Sequence, residues 1–181
     1  MDRKTVIYRG SIKSCNYSCS YCPFSKHRAL KGETEKDRTA LERFCKSISQ
    51  NAEPDNIGAV MITPYGEAAI HNYYWDAMAY LSRIPHLERI GIQTNLSFTP
   101  LSAVSRFENA GGVKEKLSLW ATFHPEMTGV SEFSEKCRWL EENGVQVCAG
   151  AVGVPDNAEI IRKLRAELPH QVYLWINKMD G

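Results

Sequence analysis

An alternation of two residue patterns constrains this chain most. Short runs rich in Val, Ile, Tyr, Trp and Thr alternate five times with segments of helical period, and a sixth such run follows. The predicted strands cover 5–9, 57–63, 89–94, 117–123, 145–152 and 172–177. Leu41, Phe44, Cys45 and Ile48 share the face of the first predicted helix, and Thr34 and Asp37 resemble its N-terminal cap. Tyr74, Trp75, Met78 and Leu81 line the second. Leu101, Val104 and Phe107 line the third, which opens on Thr99-Pro100 and stops at Gly111-Gly112. Phe133, Cys137 and Leu140 line the fourth, ended by Gly144, and Ile160, Ile161, Leu164 and Leu168 line the fifth. Strand–helix–strand units at this spacing pair in parallel through right-handed crossovers. They build either a doubly wound sheet or an incomplete barrel. The expected fold is α/β, an incomplete (β/α)6 barrel (partial TIM barrel), with 1–181 as one domain. No sixth helix follows the last strand, so Val172, Leu174 and Ile176 are expected to form an uncovered apolar face. On that ground the chain is expected to be the N-terminal part of a longer polypeptide, or to need a partner.

A length of 181 residues is enough for one domain with a real core. The net charge of +1 gives no electrostatic argument for nucleic acid or an anionic membrane as partner. No apolar run reaches the ~18 residues of a membrane-spanning helix, and "MDRKTVIYRG" lacks the apolar core of a signal peptide. The expected compartment is cytoplasmic, where thiols stay reduced.

Both architectures put binding chemistry at the C-terminal ends of the strands. Polar and glycine residues gather there. Cys15, Cys19 and Cys22 follow strand one, "TPYGEA" follows strand two, and Gln93-Thr94-Asn95 ends strand three. His124-Pro125 follows strand four, Gly150, Gly153 and Pro155 accompany strand five, and Asn177 ends strand six. The opposite ends carry ordinary turns, so one active site at the rim is expected.

Half of the six cysteines fall within "CNYSCSYC", residues 15–22. A polar loop of this kind does not read as core, whereas Cys45 and Cys137 on helix faces and Cys148 in a strand read as inert packing. Three chemistries suit the cluster. Cys19-x2-Cys22 alone matches a thioredoxin-like redox pair, a scheme in which Cys15 has no role and the next helix begins too late to lower a thiol pKa. A structural zinc needs a fourth ligand, for which only His27 or Cys45 offers itself. Three thiolates on an iron–sulfur cubane leave one iron open to a ligand.

Cys15-x3-Cys19-x2-Cys22, with the aromatic Tyr21 before the last cysteine, resembles the signature of the radical S-adenosylmethionine (radical SAM) enzymes. Tyr65-Gly66-Glu67 resembles the family's Gly-Gly-Glu segment, with Tyr65 in place of the first glycine. Thr94-Asn95 is similar to its polar contact to the ribose, and Gly150 to Val154, with Val152, to its glycine-containing fifth strand along the adenine. The resemblance implies a partial barrel of radical SAM type, a [4Fe–4S] cluster on Cys15, Cys19 and Cys22, and S-adenosylmethionine as cofactor. In such enzymes one electron cleaves the sulfonium bond, and a 5′-deoxyadenosyl radical abstracts hydrogen from the substrate. It implies a one-electron donor such as flavodoxin or ferredoxin, and a peptide or small metabolite as substrate. Glu67 would face the cofactor's ammonium group; the alternative is a solvated loop carboxylate. His124 would orient or protonate substrate, or merely satisfy a turn beside Pro125. "SKHRALKGETEK", 25–36, is either a flap or a solvated loop. A thioredoxin-like oxidoreductase and a zinc-stabilised interaction module remain the alternatives.

Overall fold

The computed structural model describes residues 3–24, 27–50 and 56–178. The strands are β1 (Lys4–Tyr8), β2 (Ile57–Ile62), β3 (Arg89–Thr94), β4 (Leu117–Phe123), β5 (Gln146–Gly153) and β6 (Leu174–Lys178). Between them lie α1 (Lys31–Gln50), α2 (Asn72–Ser82), α3 (Pro100–Asn109), α4 (Val130–Glu142) and α5 (Ala158–Glu167). Every strand pair is parallel and the strands follow in sequence order, so the sheet curls into a half-barrel. Sequential order is the alternative to a doubly wound sheet, whose strand order reverses at a switch point.

The side-chain period of a strand separates two faces. On β4, Leu117, Leu119, Ala121 and Phe123 are buried in the core, while Trp120 between them is 47% exposed on the concave face. Registers Trp120↔Cys148, Thr122↔Gly150↔Trp175 and Val152↔Asn177 carry that concave face across β5 and β6. The helices cover the convex side. Tyr74, Met78 and Leu81 of α2, Phe107 of α3, and Phe133, Cys137 and Leu140 of α4 are fully buried or nearly so. Each such side chain contributes about 1.5–3 kcal/mol by leaving water. Gly111 and Gly144 end their helices at φ +81° and +76°, the left-handed region that glycine enters without steric cost. Among the described residues no helix is long and apolar enough to cross a membrane.

Several expectations need correction. Helix α1 begins at Lys31, ahead of Thr34 and Asp37. Glu33 reaches back to accept the Leu30 N–H at 2.8 Å, and the Thr34 hydroxyl donates to the Leu30 carbonyl at 3.2 Å. Thr34 therefore lies inside the first turn, and Asp37 is fully buried rather than a cap. Part of the charged segment 25–36 is thus helix, and its residues 25 and 26 lie outside the described residues. Leu101 is 59% exposed, and Pro100 and Ala103 take its place in the core. Val172 precedes β6 and is fully buried; Ile176 is 57% exposed, so only part of the expected apolar face is open. Cys45 and Cys137 are core, but Cys148 is half-buried on the concave face beside Arg89 and Trp120. Residues 179–181, which bear on the expected missing helix, lie outside the described residues.

Candidate active-site cleft

A cleft of about 230 Å³ opens at the C-terminal ends of the strands. Cys15, Cys19 and Cys22 line it together with Gly66, Glu67, Thr94, Asn95, His124 and Val152. The sequence-predicted rim therefore converges on one place. Tyr21 stands behind His124, with its hydroxyl 2.7 Å from Nδ1. Gly150 lies under the Trp175 ring, which a Cβ there would strike.

The cysteine loop is fastened to successive strand ends. Its stem is held from α1: Asp37 Oδ1 accepts the Ser11 hydroxyl and the Ile12 N–H at 2.9 and 3.0 Å, and Oδ2 accepts the hydroxyls of Tyr73 and Tyr74 at 2.9 and 2.8 Å. Four donors satisfy this buried carboxylate in place of a cation. After β2, the Gly66 and Glu67 N–H groups donate to the carbonyls of Ile12 and Ser14 at 3.3 and 2.8 Å. Any Cβ on Gly66 would collide with the Ser14 carbonyl, so this close backbone approach requires glycine. After β3, the Asn95 amide donates to Asn16 Oδ1 at 3.1 Å, and Asn16 donates to the Ser97 hydroxyl at 2.9 Å. After β4, His124 and Glu126 receive residues 19–21, with Cys19 Sγ 3.5 Å from His124 Nδ1.

Glu67 is 2% exposed. Its Oε1 accepts the Thr94 hydroxyl at 2.8 Å and the Ala69 N–H at 3.1 Å, and its Oε2 accepts the Asn95 N–H at 2.5 Å. It is therefore not a solvated loop carboxylate. Burial pushes its pKa up from 4.5 to about 7, against the pull of those three donors. Leu96 occupies the left-handed region at φ 55°, a strained conformation for a branched residue. The Thr94 hydroxyl accepts the Leu96 N–H and Asn95 Oδ1 accepts the Ser97 N–H, at 3.1 and 3.0 Å, and this turn aims the Asn95 N–H at Glu67. Thr94 and Asn95 thus spend their side chains inside the protein. The side chain of the neighbouring Gln93 lines the cleft with no hydrogen bond among the described residues.

His124 is lowered from 6.5 to about 4 by burial, so its ring is neutral at pH 7. Burial also raises Tyr21 well above the usual phenol value, so Tyr21 keeps its proton, and its hydroxyl pairs with Nδ1 at 2.7 Å. The thiols of Cys15 and Cys19 are raised by burial first; the charges of Glu67 and Cys22 add to this at Cys15, and those of Cys22 and Cys15 at Cys19. No Lys or Arg lines the cleft among the described residues. Three thiols and a carboxylate without a cation form a donor set that suits a soft, positively charged group. Thiols deprotonate when they ligate metal, and the metal's charge offsets their burial. Among the described residues no three His, Cys, Asp or Glu side chains converge at the distance of a single ion. A cubane takes one thiolate per iron, so its ligands stand further apart than those of one ion.

Asn177, expected at the rim as the polar residue ending the last strand, lines the cleft. Sequence reasoning passed over Trp175 and Thr122, which also line it, and Glu126, which does not and carried no spacing signal. No protein-family model matches the chain, and no curated protein matches it either.

Proposed function

We propose that the chain is a radical S-adenosylmethionine enzyme that holds one [4Fe–4S] cluster on Cys15, Cys19 and Cys22. The observation that carries this reading is the Cys-x3-Cys-x2-Cys loop at the C-terminal rim of a sequential parallel half-barrel, with its thiols and Glu67 on one cleft. When bound, the cluster and S-adenosylmethionine supply one-electron cleavage of a sulfonium bond and a 5′-deoxyadenosyl radical that takes hydrogen from a peptide or small metabolite. The chain's own residues bind and orient. Among the described residues Oε2 of Glu67 accepts one donor, which leaves a lone pair for the cofactor's ammonium group. An ammonium there pulls the raised pKa of Glu67 back down and holds it ionised. Gln93 supplies the polar group that Thr94 and Asn95 have committed elsewhere. Neutral His124 fixes Tyr21 and lines the cleft beside the thiols. A flavodoxin- or ferredoxin-like protein is the electron donor.

The rival redox pair fits less well. Cys19 is 2% exposed and its thiol is raised, whereas a reactive CxxC thiol needs a lowered one. The helix that follows starts at Lys31 and lends no dipole to Cys19 or Cys22.

Anaerobic reconstitution with iron and sulfide separates the readings. The expected result is a brown protein with about four irons per chain. With dithionite and S-adenosylmethionine it forms 5′-deoxyadenosine. A colourless protein that takes up zinc supports the interaction module, and a metal-free one with a titratable Cys19–Cys22 disulfide supports the redox pair.

A further inference from the structure

We infer that Glu126 is a positioning residue that clamps the segment between Cys19 and Cys22 and lowers the reduction potential of the cluster; this rests on the reading of the site given above. Glu126 lies in the turn after β4, closed by hydrogen bonds from the Met127 and Thr128 N–H groups to the His124 carbonyl at 2.9 and 3.1 Å. Its Oε2 accepts the Ser20 N–H at 2.7 Å, and its Oε1 accepts the Ser20 hydroxyl at 2.6 Å. Ser20 is the residue after Cys19. The contact is part of a continuous seam in which four consecutive residues meet one turn. The Ser18 hydroxyl reaches Met127 Sδ at 3.7 Å, Cys19 Sγ and the Tyr21 hydroxyl reach His124, and Ser20 reaches Glu126.

Two consequences follow for a group bound to these thiols. In a tight loop, the N–H beside a cysteine ligand is a natural donor to cluster sulfur, and such bonds favour the reduced, more negative state. Glu126 takes that N–H away. It also sets a negative charge beside the loop, which disfavours the addition of an electron. Both effects act in the same direction. The charge of Glu126 is felt at the two side chains that meet beside Cys19, raising the proton affinity of Tyr21 and of His124. A low potential is what the reductive opening of a sulfonium bond demands. Glu126 touches neither the cleft nor its contents, so its effect runs through Ser20 and through the field.

The test uses the full chain, reconstituted anaerobically, with iron content and a redox titration as readouts. E126Q keeps the shape and loses the charge. It is expected to retain its iron and to reduce more readily, by about threefold in the one-electron equilibrium, which is about 28 mV at ~59 mV per tenfold. E126D keeps the charge and is expected to restore the wild-type midpoint. S20A keeps both the charge and the backbone N–H, and is expected to titrate with the wild type. An unchanged or lower midpoint in E126Q, or loss of its iron, overturns the inference. A wild-type chain that assembles no cluster overturns the reading of the site itself, so the two failures are distinct.

Discussion

Glu67 Oε1 accepts the hydroxyl of Thr94 at 2.8 Å, inside the protein, and so joins the loop after β2 to the end of β3. Among the described residues the carboxylate has no cationic partner, and its pKa rises from 4.5 to about 7. The folded state thus holds a proton that the unfolded state gives up. The metal-free chain should lose stability as pH rises from about 4.5 to about 7, by on the order of 3 kcal/mol, and change little above that. Urea unfolding of wild type and Glu67→Gln across this range checks it: the difference between them should vary with pH. A constant difference would sink the assignment. Glu67→Ala is a poor probe of cofactor binding, since it leaves the donors of Thr94, Ala69 and Asn95 unsatisfied in the core.

His124 works with the opposite sign. Its folded pKa is depressed from 6.5 to about 4, so acidification through that window charges the unfolded chain first and costs stability. The loss should reach on the order of 2–3 kcal/mol at pH 4 in the metal-free chain, and be absent in His124→Gln. The same urea series measures it, and a wild type and variant that respond alike to acid would refute the neutral, partly buried ring.

Asp37 should be among the costliest single positions in the fold. Asp37→Ala strips four donors of their acceptor, two of them from the stem of the cysteine loop. The expected loss is roughly 3–5 kcal/mol by denaturant titration. Tyr73→Phe removes only one half-exposed donor and should cost about 1 kcal/mol. Equal costs for the two would show that Asp37 is not the hub.

The six cysteines should divide three and three when replaced by Ala. Cys15, Cys19 and Cys22 variants should each fail to hold iron after anaerobic reconstitution. Cys45 and Cys137 variants should keep full iron and lose about 1 kcal/mol or more of stability as small cavities in the core. Cys148 should keep its iron with a smaller loss, because it is half-buried. Full iron and activity in Cys15→Ala would return the Cys19–Cys22 redox pair as the better reading.

Gly66→Ala tests the stitching of the loop. The new methyl group meets the Ser14 carbonyl, so the backbone pair of Gly66 and Glu67 with Ile12 and Ser14 must open. Iron retention should fall although no ligand is touched, and the fold should weaken by about 1–3 kcal/mol. Wild-type iron content in this variant would show that the segment does not shape the loop.

The barrel was legible because a parallel strand with a helix behind it leaves a periodic signature, and β2 to β4 lie within a residue of their predicted bounds. The start of α1 was misplaced because Leu30 has no capping side chain and Glu33 does the work from three residues further on. Asp37 looked like a cap because its donors lie far along the chain or in the preceding loop. The three cysteines and Gly66-Glu67 announce themselves by spacing. Glu126 does not, since a carboxylate in a turn is ordinary until Ser20, 106 residues away in sequence, is folded against it. Site features that depend on such long-range pairing leave no local periodicity to read.

That separation also sets a timetable. Parallel β-pairing is slow to form because distant segments must first meet. The loop bearing Cys15 to Cys22 is synthesised before the strands that hold it, and one of its late fastenings, at Glu126, arrives 106 residues after Ser20. At roughly 5–20 residues per second, the thiols wait about 5–20 s on a nascent chain before their seat exists. On the proposed reading, metal delivery is therefore a late event that follows the closure of β4 against β3. A metallation step would then have to recognise paired strands, not an emerging peptide.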